Sequence, residues 1–459
     1  MCNIGVITHI SIMDTFKLEK PDLDKLDGKK IMNLFFKTDG QPLRDFIDGI
    51  NEPQYLYWDR MRYKQPAPQE LSREELWFAT KFIRQLMSLE TVIKCESGKY
   101  FAWVKSKKLE KFYHEIDMST GGGLFILKAD YDKLTKQKLI SRGVMEEAIA
   151  SSQLEGASTS RALAKKFLRE GRKPQNASEQ MILNTYIANK ALEEGYKDRQ
   201  MDFDLICELH GMITKNTLTP EGDVPRIRKE GEDIFVTDIN DGKIYHRAPK
   251  MSFVKNELER FISFANDELS HDFIHPVVKA IMLHFWIGYL HPFTDGNGRL
   301  ARLLFYWYLL KNGYWAFSYL PISKMIKKAP AQYSMAYVYS EQDDCDMTYF
   351  IDFNIRKIEA AVNDFKEYTE RLAILNKKMN KAAEMKYDLN ERQIQLLQYL
   401  QGDSDEKTSL KMHMSIYQVS RKTAIVDLKK LVILGFLESN KIGRNIYYYG
   451  TKKVKELFN

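Results

Sequence analysis

Two almost wholly apolar helical stretches, joined by a polar turn, constrain this chain more than anything else in its 459 residues. Pro276 to Leu290 (PVVKAIMLHFWIGYL) and Leu300 to Lys311 (LARLLFYWYLLK) lack the polar face a surface helix needs, so the reading is a pair of buried core helices. Between and into them runs His291-Pro292-Phe293-Thr294-Asp295-Gly296-Asn297-Gly298-Arg299-Leu300-Ala301-Arg302. This arc holds a base, a carboxylate, two glycines and two cations. Gly296 and Gly298 allow positive φ and close backbone approach, so successive N–H groups can face one oxyanion at the start of the second helix. Arg299 and Arg302, three apart, share one face. Cations are disfavoured at a helix N-terminus by up to about 1 kcal/mol, and two of them there imply a strongly anionic ligand such as a polyphosphate. The alternative is a structural turn with a capped Asp, a core His and two solvated arginines.

The pattern H-P-F-x-D-G-N-G-R-x-x-R resembles the core motif of the Fic family of nucleotidyltransferases. The resemblance implies transfer of AMP from ATP to a protein hydroxyl, with Mg²⁺ or Mn²⁺ bridging the phosphates. It implies that His291 is the general base for the attacking Ser, Thr or Tyr hydroxyl and that Asp295 holds the metal. It also implies that Asn297 and the backbone of Gly296 and Gly298 cradle the α- and β-phosphates, while Arg299 and Arg302 meet the outer ones. The phosphorylating branch of the superfamily carries a bulkier sequence in the second half of the loop, so glycine at 298 favours adenylyl transfer.

Far upstream, Ser151-Ser152-Gln153-Leu154-Glu155-Gly156 is similar to the family's inhibitory [S/T]-x-x-x-E-[G/N] element. Gly143 to Leu154 reads as a helix, Gly156 as its C′ residue, and Glu155 then sits at the negative end of the helix dipole, where a carboxylate wants a cation. The resemblance supplies Arg302, so that a Glu155–Arg302 pair takes the room and charge that the γ-phosphate needs. Ser151, Glu155 and Gly156 are the inhibitory residues on this reading; the alternative is a surface glutamate beside a helix-ending glycine. The same glutamate could also orient water to remove AMP. Glu232 to Tyr245 reads as a β-hairpin turning at Asn240-Asp241-Gly242. In the family such a flap docks the target as an added strand, which points to Ile234, Phe235, Val236 and Thr237. The family's H-x-P-P after the flap is His246-Arg247-Ala248-Pro249 here, one proline short, which puts the flap register in doubt.

The remaining pattern is strongly helical, with Asn176 and Glu179 resembling a capping box before Met181 to Glu194, and amphipathic runs at Phe203 to Lys215 and Phe253 to Leu269. His284 reads as a core histidine and Tyr333 to Tyr339 as packing residues. The fold class is mainly α: a helical bundle with a β-hairpin flap, plus a small α+β winged-helix domain. The domain reading is an N-terminal extension (1–115) packing on the catalytic bundle, a Fic-like domain with its inhibitory helix (116–345), a helical linker (346–384) and a C-terminal domain (385–459). Gly121-Gly122-Gly123 reads as a hinge or loop. In the C-terminal domain, helices Glu391 to Leu400, one opening at Ser415 to Tyr417, and one from Ser420 to Leu431 precede strands Phe436 to Ser439 and Asn445 to Tyr449. That order resembles the winged helix-turn-helix family, in which Arg421, Lys422 and Thr423 would enter the major groove and Lys441 and Arg444 would touch phosphate.

From Lys386 onward thirteen Lys and Arg face eight Asp and Glu, most of the chain's net +7, which suits either DNA or a solvated surface. No run of about 18 apolar residues or leader-like segment is seen, and four dispersed cysteines suit a reducing compartment, so the expectation is a cytoplasmic protein without a membrane partner. Two functions compete. One is an autoinhibited adenylyltransferase acting on a Ser, Thr or Tyr of a target or of itself, with homodimer formation as a route to burying the inhibitory helix. The other is a nucleotide-sensing, DNA-binding transcriptional regulator.

Overall fold

The computed structural model describes residues 2–5, 14–37, 40–118, 133–218, 225–238, 241–269, 272–401, 407–442 and 445–458. Asn240, the Gly121–Gly123 run and Arg444 lie outside them. The chain divides into two compact units: residues 1–126, 143–164 and 173–361 form the first, and residues 127–142, 165–172 and 362–459 the second.

In the first unit the expected core pair is present as Pro276–Leu290 and Asn297–Lys311. Every residue from Val277 to Leu290 is buried, as an all-round apolar helix must be. Pro276 opens that helix at a position where its missing N–H costs nothing. The second helix begins at Asn297 rather than Leu300, so Gly298 and Arg299 already lie in its first turn. Around this pair stand Ala177–Glu193, Phe203–Thr214 and Met251–Ala265. Asn176 caps the first of these by accepting from Glu179 N at 2.9 Å, while the Glu179 carboxylate reaches back to Gln175 N at 2.8 Å, one residue beyond the reciprocal box. Asp267, with φ 63°, follows Met251–Ala265 about a turn earlier than the hydrophobic pattern suggested. His284 is buried and its Nε2 lies 2.7 Å from the Tyr333 hydroxyl, a satisfied core histidine.

The first 115 residues belong to this same unit. Arg73–Met87, opened by a full Ser72–Glu75 capping box, packs with Gly28–Phe36 and Gln41–Asn51 around Ile31, Ile50, Trp58 and Leu76. The flap hairpin is present as Phe235–Asp238 and Ile244–Arg247, antiparallel, with Gly242 at φ 67° in its turn. A strand not foreseen from sequence, Cys2–Gly5, adds to it, giving a three-stranded sheet with Phe235–Asp238 in the middle.

The segment Ser151 to Gly156 closes the helix Lys133–Leu154. Gly156 (φ 96°) is its C′ residue, and the N–H groups of Gly156 and Ala157 bond Gln153 O at 3.3 Å and Ser152 O at 3.0 Å, the two bonds of a Schellman cap. Within this helix, buried Glu147 accepts from the Tyr306 hydroxyl at 2.8 Å, Ser323 N at 2.9 Å and Ser323 Oγ, fastening it to the core.

In the second unit Thr348–Lys386 is a single helix into which the division between units falls. After it come Glu391–Gln401, strand Lys407–Ser409, helices Leu410–Tyr417 and Arg421–Ile433, strands Leu437–Ile442 and Asn445–Gly450, and a final helix Lys452–Phe458. Tyr417 closes the second helix instead of opening it: Ser409 is the cap, accepting from Met412 N at 3.2 Å, and Gln418 in the left-handed region stops it. The three strands form one antiparallel sheet with Asn445–Gly450 in the centre. Leu397, Leu428, Leu431, Phe436 and Val454 fill the core. Beside it, buried Asp427 accepts from Asn390, Arg392 and His413, a charge made tolerable by its partners.

Candidate active site

The turn between the core helices is bent by its first residue. His291 ends Pro276–Leu290 with φ 45° and ψ 59°, a left-handed conformation that costs a side-chain-bearing residue roughly 1–3 kcal/mol. Arg228 holds it there. Its Nε donates to His291 O at 2.8 Å, its Nη2 to Pro249 O, and its backbone N–H to Pro292 O at 2.9 Å, while Ile227 bridges to Phe293.

His291 Nδ1 faces the carbonyl of Gly288, which can only accept, so Nδ1 carries the proton and Nε2 keeps its lone pair. Burial, followed by the charges of His246 and Arg228, pushes its pKa down to about 3. The result is a neutral base at any ordinary pH. His246 sets part of that environment. Its Nδ1 lies 2.8 Å from Glu341 Oε2 and its Nε2 2.8 Å from Tyr289 O, two partners that only accept, which makes the ring a doubly protonated imidazolium. Burial opposes that charge, but the Glu341 carboxylate outweighs it and the pKa is raised. The two imidazole centroids are 5.5 Å apart.

The glycine turn is braced from behind. His210 stacks on Phe293 at 3.7 Å, and its Nε2 lies 2.8 Å from Asp295 O. Gly296 has φ 83°, and a Cβ there would come within 2.7 Å of Thr214 Cγ2. The Asn297 side chain is consumed by the turn, its Oδ1 accepting from Phe293 N at 3.0 Å and its Nδ2 donating to Phe293 O at 2.8 Å. Arg299 likewise points away from the open space: its Nη1 donates to Ile213 O at 2.7 Å and its Nη2 lies 3.3 Å from Asp295 Oδ2.

Like Lys327, Arg302 faces the cavity. Its Nε donates to Ser151 Oγ at 2.8 Å, and its Nη2 to Ser151 O at 3.0 Å and Glu155 Oε1 at 2.8 Å. Its Nη1 is buried and lacks a hydrogen-bond partner among the described residues. The Glu155 carboxylate is therefore paired with Arg302, while Nη1 makes no hydrogen bond among the described residues. A cavity of about 240 Å³ opens at this point, with Glu155, Val236, His246, His291, Arg302 and Tyr333 among its lining residues. Tyr333 and Tyr337 both line it and pack on Phe350, so packing and pocket wall coincide. Of the flap residues, Ile234 and Phe235 are buried, Val236 reaches the cavity, and Thr237 is half-buried.

Among the described residues no cluster of three or more His, Cys, Asp and Glu could hold a metal on protein donors alone. Mg²⁺ needs only one or two carboxylates when phosphates complete its shell, and Asp295, whose side chain is 41% exposed, fits that mode. In the second unit Arg421 and Lys422 are exposed at the start of Arg421–Ile433, and Ser420 Oγ accepts from Thr423 N at 3.2 Å. Lys441 is exposed in the strand that precedes the tip.

His246, Glu341, Arg228 and His210 were not singled out in the sequence. Each acts through contacts between residues far apart in the chain, and only the missing proline after His246 drew attention to that segment.

Residues 200–309 match the Fic/DOC family. The protein adenylyltransferase Fic of Nematostella vectensis is 31% identical over 121 residues, 26% of this chain and 25% of that protein. The protein adenylyltransferase fic-1 of Caenorhabditis elegans is 31% identical over 115 residues, 25% of this chain and 20% of that protein. The chain thus spans a quarter or less of these relatives' length. A crystal structure of a Fic family protein from Desulfovibrio desulfuricans G20 aligns over 76% of this chain and 97% of that one, with 18% identity and a TM-score of 0.47.

Proposed function

We propose that this chain, which carries a Fic/DOC domain over residues 200–309, is an autoinhibited protein adenylyltransferase that moves AMP from ATP to a Ser, Thr or Tyr hydroxyl. The observation that carries the reading is His291: a neutral imidazole with its Nδ1 proton tied down and its Nε2 lone pair available, beside a cavity bounded by Arg302. In the transfer, the acceptor oxygen forms a bond to the α-phosphorus of ATP, the bond to the β-phosphate oxygen breaks, and pyrophosphate leaves. The acceptor's proton goes to His291 Nε2. Backbone N–H groups at the start of Asn297–Lys311 and the unused Nη1 of Arg302 supply donors to the phosphates. Asp295 would hold Mg²⁺, which would neutralise charge building on the phosphates.

Glu155 supports inhibition on this reading, because its carboxylate occupies Nη2 of the same arginine and would repel a γ-phosphate. The flap supports docking of an extended target segment through main-chain hydrogen bonds. With ATP labelled at the α-phosphate, the Glu155→Gly chain should transfer label to itself or to proteins of its native cytosol, and His291→Ala added to it should abolish transfer. Nucleotide binding without transfer would favour the regulator reading instead.

The element order of the second unit supports a winged helix-turn-helix, with Arg421, Lys422 and Thr423 at the start of its exposed helix as the DNA contacts. The free thiols of Cys95, Cys207 and Cys345, among the described residues, support a cytoplasmic setting.

A further inference from the structure

The outer edge of the flap strand Phe235–Asp238 is already taken in this molecule. Cys2–Gly5 runs antiparallel along it, with Cys2 opposite Asp238, Asn3 opposite Thr237, Ile4 opposite Val236 and Gly5 opposite Phe235. On the opposite edge of the hairpin, Ile244 N–H donates to Asp14 O at 3.1 Å, Phe16 N–H donates to Ile244 O at 2.9 Å, and Thr15 forms a parallel bridge to Ile244. The beginning of the chain therefore holds both edges of the flap. The segment between the two contacts, residues 6–13, can span at most about 27 Å when extended. Crossing a two-stranded ribbon from outside one strand to outside the other takes roughly 14 Å. Connection within one molecule is thus easily made.

We propose that residues 2–5 are an intramolecular placeholder on the target-docking edge, a strand that an incoming extended peptide must displace. The proposal rests on the reading of the flap as the docking surface. Strand addition is recognised through main-chain N–H and C=O groups, so a segment need not resemble a target in its side chains to compete with it. Cys-Asn-Ile-Gly contains no hydroxyl, so the paired residues cover the edge without offering an acceptor for AMP. Four residues of strand bind weakly on their own, but a short tether gives an effective concentration of order millimolar. The edge is then filled in the resting protein and yields only to a longer or better-paired strand. This device screens the protein substrate, whereas Glu155 bears on the nucleotide.

The test uses a fluorescein-labelled synthetic peptide with the sequence of residues 1–13, followed by anisotropy. It is offered to the full chain, to a chain lacking residues 2–5, and to the full chain with Asn3→Pro, which removes the main-chain donor opposite Thr237. Saturable binding to the two altered chains, and binding at least tenfold weaker to the unaltered one, is expected. Equal affinity for all three, or undiminished binding of a peptide N-methylated at each of residues 2–5, overturns the proposal. Transfer is read in a separate reaction with the Glu155→Gly chain and ATP labelled at the α-phosphate. Label transfer without peptide discrimination overturns the placeholder alone. Peptide discrimination without transfer sustains the placeholder and defeats the transferase reading.

Discussion

Glu155 fills the space that glycine leaves at position 298: a Cβ there would lie 2.2 Å from Glu155 Oε1 and 3.2 Å from Arg302 Nη1. Gly298 sits in the first turn of Asn297–Lys311 and shows no positive φ, so what needs a glycine here is the close approach of a neighbouring group. On the proposed reading that neighbour is a carboxylate at rest and a phosphate at work, two anions that would compete for one guanidinium. The helix that carries Glu155 is held in place, since Ser152 Oγ lies 3.1 Å from Thr185 Oγ1 and Glu147 pins the same helix to Tyr306 and Ser323.

Removing the carboxylate should therefore free Arg302 without loosening the inhibitory helix. Glu155→Gly is expected to raise the rate of AMP transfer at least tenfold, and to increase the thermal shift caused by Mg²⁺-ATP. A ligand at a hundred times its Kd adds about 2.7 kcal/mol to stability, so a chain in which Glu155 weakens nucleotide binding shows a smaller shift at the same concentration. Thermal denaturation with and without nucleotide measures this. Identical shifts in both chains would remove the Glu155–Arg302 pair from any role in nucleotide binding.

The Glu341–His246 pair predicts a pH effect on the neighbouring base. Glu341→Gln preserves the shape but removes the charge that keeps His246 an imidazolium, and with it the repulsion that helps keep His291 neutral. The pKa of His291 then rises toward its ordinary value near 6.5. In the Glu155→Gly background, the acid limb of kcat/KM is expected to move to higher pH, with activity falling more at pH 5 than at pH 8. A profile that falls uniformly at all pH values would mean that Glu341 acts only in packing.

The turn, the core pair and the glycine cap at Gly156 could be read from sequence because each is local. An apolar run of fifteen residues, a Gly-Asn-Gly bend and a glycine after a helix leave a pattern within a few positions of the residues they constrain. Cys2–Gly5 could not be read in this way, since strand pairing depends on a partner edge more than two hundred residues away and four residues show no periodicity. Glu341 is similar: on the sequence it is one charge near the end of Pro330–Gln342, and only the fold brings it to His246. Arg299 is different again. Its place in the motif suggests a phosphate contact, while the contacts the fold gives it, to Ile213 O and Asp295 Oδ2, come from residues the local pattern does not pair with it. In the second unit the helix boundary was misplaced because Ser415 resembles a cap while Ser409, preceding an apolar Leu-Lys-Met, is the residue whose hydroxyl meets a free N–H.

Buried histidines should make the fold acid-sensitive well above the carboxylate range. Burial lowers the pKa of His291 to about 3 and of His210 to about 4, and also lowers those of His284 and His275. For each, the folded value is depressed below the unfolded one, so its stability contribution is complete above about pH 6.5 and is lost as pH falls toward the folded value. His246 has the opposite sign and loses its contribution as pH rises through its raised pKa. The four depressed histidines stand against His246 and the raised carboxyls of Glu147, Glu257 and Asp343, which offset part of the loss, and the deep shifts of His291 and His210 leave a net fall in stability from pH 7.5 to pH 5. Urea denaturation at the two pH values checks it. A midpoint that stays constant or rises on acidification contradicts the neutral state assigned to His291.

The exposed start of Arg421–Ile433 makes a prediction that separates DNA binding from a protein-docking role for the second unit. If Arg421 and Lys422 enter the major groove, each charge displaces counterions condensed along the duplex, and the logarithm of affinity falls with the logarithm of salt by about 0.9 for every charge neutralised. A fluorescent random-sequence duplex should then bind the full chain with a salt slope that the double variant Arg421→Ala, Lys422→Ala reduces by about 2. Neither residue lies in the first unit, so AMP transfer by the Glu155→Gly chain should be unchanged by the same pair of substitutions. An unaltered slope, or no measurable binding at low salt, would leave the helix Arg421–Ile433 without a nucleic-acid role. Its exposed Val426 (59%) and Ile433 (83%) would then mark a contact with protein.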